Sequence, residues 1–263
     1  MNTLVLLERE DALACITLNR PECANVLDVA AGECLASRIE EVARDPSVRA
    51  LLLRARGPQF CGGGDIAGMT ASGEGLAQLL ARHLPALHRA VLQLARLPVP
   101  VVSAVQGPLG GGGIGLALCA DVVLAAESVK MRGGYTAIGL SPDVGTSWLL
   151  ARRVGAARAK EILFTNRTFS AVECLQMGLF SQLWPDGELA DRAQDLARLL
   201  ARSATGALIR TKALVDGAAS RTLAEQLALE QRWMVECAGG PDAIEGVQAF
   251  MQRRPPTFVG RGP

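Results

Sequence analysis

The chain has 263 residues, 49% of them hydrophobic and 20% charged, with a formal net charge of +1; this excludes a disordered or fibrous chain and fits a well-packed globular one. The near-neutral balance removes any general electrostatic case for nucleic acid, and no RNP, zinc-knuckle or basic-helix pattern accompanies the arginines. No apolar run approaches the ~20 residues of a bilayer span, so no membrane partner is expected.

The opening MNTLVLLERE is charged too early for a secretory h-region. The seven cysteines are scattered and form no CxxC pair, which predicts a reducing, cytoplasmic setting with thiols used as buried packing. In chain order, TLVLLE (3–8) and ALACITL (12–18) read as two short strands around the charged turn EREDA, and LNRP ends the second. From Asp28 to Ala43, Val29, Leu35, Ile39 and Val42 recur at helical spacing, with Asp28 as N-cap. ALLLRA (50–55) reads as a buried strand, ARHLPALHRAVLQLA (81–95) as a helix and VPVVSAV (99–105) as a further strand. Five glycines between residues 110 and 115 follow, then a helix to Cys119 and a strand DVVLAA (121–126). Beyond residue 144, helices are predicted at 156–164, 170–176, 186–203, 205–216 and 222–238, with only GLFSQLW (178–184) strand-like between them. The alternation predicts an α/β core over 1–200 and a helical section over 201–263.

Several chemistries are missing. There is no GxxxxGK[ST], HExxH or GxSxG, and the only histidines, His83 and His88, are too few for a histidine-rich metal site; no metal is expected. Gly110, Gly112 and Gly115 form a GxGxxG, but Gln106 to Leu109 separate it from its strand and no acidic residue ends a second strand about 20 positions on, so the dinucleotide reading is weak. A second glycine cluster, FCGGGDI (60–66), also joins a buried strand to a helix-like segment. Two such junctions could aim two bare backbone N–H groups at one point, the construction of an oxyanion hole; the alternative is a pair of tight turns with glycines for packing.

ITLNRPECANVLD, FCGGGDI, PVVSAVQGPLGGGGIGLALCADVVLA, IGLSPDVGTSWLLARRVGAARAKEILFTNRTFSAVECLQMGLFSQL and IEGVQAFMQRRPPTF resemble, in order and spacing, the enoyl-CoA hydratase/isomerase (crotonase) superfamily over essentially the whole chain. The resemblance implies a spiral of ββα turns with a helical C-terminal trimerisation section. It further implies acyl-CoA thioester substrates with no cofactor beyond the coenzyme A they carry, and a homotrimer or dimer of trimers. It also implies that the amides of Gly64 and Gly112 hold the thioester oxygen.

The positions of the two water-activating glutamates of enoyl-CoA hydratases correspond here to Gly115 and Tyr135, neither a carboxylate, so hydration lacks its proton donor and acceptor. Asp143 in IGLSPDVG remains. It is either the N-cap of a helix from Val144 or, as in similar enoyl-CoA and ring-epoxide isomerases, the group that moves a proton; in 4-chlorobenzoyl-CoA dehalogenase the corresponding aspartate is a nucleophile. That dehalogenase pattern also contains a water-activating histidine, which corresponds to His88. Tyr135 either lines the acyl pocket, hydrogen-bonds the substrate or packs in the core. The basic residues that usually meet CoA phosphate are absent around Glu22, Cys23 and Ala24 and at Ala67. Contacts to the nucleotide are expected from the backbone near Ala24 and Ile66 and from Phe258 and Arg261 of a neighbouring subunit. Enoyl-CoA isomerisation is the leading expectation. Hydration, thioester hydrolysis, aryl dehalogenation and a catalytically silent acyl-CoA-binding homologue remain open.

Overall fold

The leucine- and valine-rich runs at the start of the chain form an antiparallel pair, β1 (Val5–Glu10) and β2 (Leu13–Leu18). The computed structural model describes residues 4–71 and 75–260. Parallel to β2 runs β3 (Ala50–Ala55), followed in space by β4 (Val101–Val105). β2 and β4 are buried along their whole length, as strands in the middle of a covered parallel sheet must be.

The helix between β2 and β3, α1 (Val29–Arg44), turns Leu35, Ile39 and Val42 inward and packs on β1 and on α3 (Leu76–Ala95). The short α2 (Ile66–Ala71) precedes α3. Asp28 caps α1 as expected: one carboxylate oxygen accepts from the Ala31 amide at 2.7 Å while the other pairs with Arg20 at 2.6 Å. Asp28→Ala should therefore destabilise the protein by about 1–2 kcal/mol, readable as a lower denaturation midpoint; an unchanged midpoint would show the cap to be dispensable.

After β4 the chain makes two similar turns. The first is β5 (Pro108–Gly110) and α4 (Gly112–Leu118); the second is β6 (Val122–Ala126), β7 (Lys130–Arg132) and α5 (Thr146–Thr165). β6 joins the large sheet beside β4, whereas β5 and β7 pair in parallel in a small sheet completed by β8 (Phe169–Ser170). With β4 counted into the first, each turn gives one strand to each sheet and one helix, the ββα spiral expected from the resemblance. A capping box between Ser170 and Glu173 starts α6 (Ala171–Gln176), and β9 (Gln182–Trp184) closes the large sheet in the order β1-β2-β3-β4-β6-β9. α7 (Leu189–Arg202) lies across β3, β4 and β6 on its buried stripe Leu189, Ala193, Ala197 and Ala201, whose three alanines permit close approach. α8 (Thr205–Gly217), α9 (Leu223–Ala238) and α10 (Pro241–Gln252) follow. No helix among the described residues is long and apolar enough to cross a membrane.

Three expectations need correction. The helix placed at 156–164 is only the second half of α5, which is interrupted at Gly155 with φ 76° and ψ 161°; the break divides its apolar residues between two axes, so no single 3.6-residue stripe marks it. The strand-like GLFSQLW narrows to β9, because Leu179 and Phe180 are buried ahead of it as core packing. α10 was not anticipated: its apolar Ile244, Val247, Phe250 and Met251 are exposed in this chain.

Candidate active site

The two glycine clusters are laced together. After β3, buried Cys61 bridges to Leu109, and its carbonyl accepts from the Gly110 amide at 3.3 Å. Gly63 has φ +101°, and a Cβ there would lie 3.0 Å from the Gly110 carbonyl oxygen and 3.4 Å from the Gly112 nitrogen. Only a residue without a side chain lets these backbones come so close. Among the described residues, neither the Gly64 nor the Gly112 amide donates to a protein acceptor, the latter because the first residue of a helix has no intrahelical acceptor.

Both junctions open into one cavity of about 640 Å³. Gly62, Gly64, Gly110, Gly111 and Gly112 form one wall; Leu80, Leu84 and His88, at i, i+4 and i+8 on α3, form a second. The segment from Gly134 to Asp143 supplies a third, including Tyr135, Ile138, Leu140 and Asp143 itself. Among the described residues, Asp143 is the sole carboxylate that lines the cavity.

The capping alternative for Asp143 does not hold. α5 starts at Thr146 behind Gly145, with no side-chain cap. The Asp143 carboxylate instead accepts from the Tyr135 hydroxyl at 2.6 Å, and Tyr135 Oη lies 3.1 Å from Thr146 Oγ1. The turn is strained, since β-branched Val144 sits at φ 51°. Burial first, and then the Asp143 charge, push the Tyr135 phenol well above its usual range; it stays protonated at any pH the protein tolerates. Gly115 is equally constrained, because a Cβ there would lie 2.1 Å from the Val144 carbonyl oxygen and 2.8 Å from Thr146 Oγ1. A glutamate has no room at that position.

Of the other expected site residues, Ile66 lines the cavity and is 41% exposed. Ala24, with φ 57°, borders the rim, its carbonyl accepting from the Gly62 amide at 2.9 Å. Phe258 lies apart, in a second cavity of about 590 Å³ formed by α8, α9, α10 and the tail. Its carbonyl accepts from Arg49 at 3.1 Å. Arg261 lies outside the described residues. Arg132 and Thr146 were not anticipated: Arg132 lines the cavity from the end of β7, and Thr146 is fully buried behind Tyr135. The i, i+4, i+8 spacing of Leu80, Leu84 and His88 could have marked the α3 wall. Nothing in the sequence marks Thr146. The Cys61 thiol, pushed up to about 12 by complete burial, with the Gly63 amide pulling weakly the other way, stays neutral.

A ββα spiral around a glycine-walled cavity is the architecture of the crotonase fold. The enoyl-CoA hydratase/isomerase family matches residues 8–261. The chain belongs to this family of acyl-CoA enzymes. It is 36% identical over 262 residues to the 1,2-epoxyphenylacetyl-CoA isomerase of Escherichia coli K12, covering 99% of this chain and 100% of that protein. Its structure is similar to an enoyl-CoA hydratase from Polaromonas sp. JS666, with TM-score 0.90, 30% identity, and coverage of 97% and 99% of the two chains. An enoyl-CoA hydratase from Bacillus anthracis is likewise similar, with TM-score 0.92, 27% identity, and coverage of 98% and 100%.

Proposed function

We propose that the protein is an enoyl-CoA isomerase in which Asp143 moves a proton along the acyl chain of a CoA thioester. The observation that carries this reading is the one carboxylate that the described residues place on the cavity wall, beside Gly112: a Cβ on that glycine would lie 3.4 Å from Asp143 Oδ1. Acyl-CoA hydration needs a group to take a proton from water and one to protonate carbon. The two hydratase positions hold a glycine with no space and a tyrosine. Isomerisation needs only one base on one face. Asp143 removes a proton from C2 of a 3-enoyl thioester. The resulting dienolate oxygen rests on the Gly64 and Gly112 amides, and the protonated Asp143 returns the proton at C4 to give the 2-enoyl product. Charge that builds on the thioester oxygen is met by donors already oriented and free of other partners, the condition under which such donors act most strongly. The apolar Ile66, Leu80, Leu84, Ile138 and Leu140 suit a hydrocarbon acyl group. The coenzyme A portion enters past Gly62 and Ala24, and the cytoplasm is the proposed compartment.

A second reading is favoured by one observation. His88 lies on the same cavity as Asp143, so a carboxylate nucleophile with a histidine to activate water would give aryl-CoA dehalogenation. Supplying 3-enoyl-CoA, crotonyl-CoA and 4-chlorobenzoyl-CoA separately decides between these chemistries. Rapid 3-enoyl to 2-enoyl conversion is expected, and chloride release in its place would support the dehalogenase reading.

Assembly into a trimer or a dimer of trimers belongs to the same proposal. Met234 on α9, at 72% exposure, and Phe250 and Met251 on α10, at 80% and 75%, are large apolar groups left bare in the single chain, as interface residues are. Light scattering should give a mass of three or six chains. A monomer would refute it.

A further inference from the structure

The carboxylate at Asp143 is not free to adopt its own rotamer. Tyr135 is 7% exposed and Thr146 fully buried, so neither hydroxyl can turn to bulk water. The Tyr135 hydroxyl is 2.6 Å from Asp143 Oδ1, the length of a charge-assisted O–H···O⁻ bond. A phenol has one proton. With that proton directed at Asp143, Tyr135 can only accept at its 3.1 Å contact with Thr146 Oγ1. The direction of the chain is thereby set: Thr146 donates to Tyr135, and Tyr135 donates to Asp143. Among the described residues, no protein donor meets Asp143 Oδ2.

We infer that Tyr135, oriented by Thr146, is a positioning residue that pins Asp143 by Oδ1 and leaves Oδ2 as the oxygen that exchanges protons with substrate. This rests on the isomerase reading above and deepens it.

Removing the tyrosine hydroxyl therefore releases Oδ1 and leaves the carboxylate free to turn away from the substrate. The other charged or titratable groups on the cavity are His88 on α3 and Arg132 on β7. α4 faces Asp143 with glycine and apolar residues alone, and α5 with Thr146. Neither His88 nor Arg132 is hydrogen-bonded to the carboxylate.

The test is kcat and KM for 3-enoyl-CoA isomerisation in wild-type protein and in Tyr135→Phe, Thr146→Val, Thr146→Ser and Asp143→Asn. In Tyr135→Phe kcat should fall roughly tenfold and KM change less than about twofold, the split expected when a group acts on the transition state rather than on binding. Thr146→Val should lower kcat by less, and Thr146→Ser should restore it. An unchanged kcat in Tyr135→Phe, or in Thr146→Val should the phenylalanine variant fail to fold, overturns the inference. So does a KM that rises as far as kcat falls. Asp143→Asn separates the two levels. If it retains activity, the isomerase reading itself fails; if it is inactive while Tyr135→Phe turns over as wild type, only the positioning role is lost.

Discussion

Replacing Asp143 with asparagine is expected to lower 3-enoyl-CoA isomerisation by roughly 10²–10⁴-fold, the usual range for removing a general acid–base group. The substitution keeps shape and retains an oxygen able to accept the Tyr135 proton, so the 2.6 Å contact can persist and the thermal midpoint should barely move. What disappears is the ability to take a proton. Tight binding of a CoA thioester with no turnover by Asp143→Asn would separate substrate recognition at the amides from proton transfer at the carboxylate. Fast hydration of crotonyl-CoA, undiminished in Asp143→Asn, would sink the assignment.

The second large effect is expected at Gly115. An alanine there would place its Cβ 2.1 Å from the Val144 carbonyl oxygen and 3.0 Å from the Val144 carbonyl carbon. Those atoms are backbone, and they belong to a turn already strained at Val144, so relief requires moving the segment that carries Asp143. Overpacking of this kind costs about 3 kcal/mol. Gly115→Ala should therefore lower the denaturation midpoint and also cut isomerase activity, through the displaced carboxylate. Gly187→Ala is the control: nothing lies within 4 Å of the added carbon, and stability should stay within about 0.5 kcal/mol. If Gly115→Ala proves as stable and active as wild type, the contact between α4 and the 143–146 turn is not what keeps this position a glycine. The same crowding predicts that hydratase activity cannot be grafted by Gly115→Glu alone.

Tyr135 shows how a site residue can be visible in sequence while its role is not. As the chain's only tyrosine, opposite an expected glutamate position, it stood out. Substrate contact, pocket wall and core packing were all consistent with it. It stands eight positions before Asp143, across a 3-10 turn and an irregular segment, and no local periodicity predicts that its hydroxyl points at the carboxylate. Phe258 illustrates the opposite limit. It lies beyond α10, on a cavity separate from that of Asp143, a separation that the tail's own sequence does not predict.

Local chemistry, read along the chain, was sufficient for the strands, most helices, the Asp28 cap and the two glycine junctions, since alternation, helical spacing and missing side chains are properties of neighbouring residues. The ordered motifs were likewise sufficient for the family. Only the folded chain decided that the junctions interlock, that Asp143 faces Tyr135 rather than capping α5, that Gly115 has no room for a carboxylate, and that Leu80, Leu84 and His88 complete the cavity. These are contacts between segments far apart in sequence or joined by a turn of unusual dihedrals, and such distances are set by packing of the whole sheet and its helices, not by the preference of any residue alone.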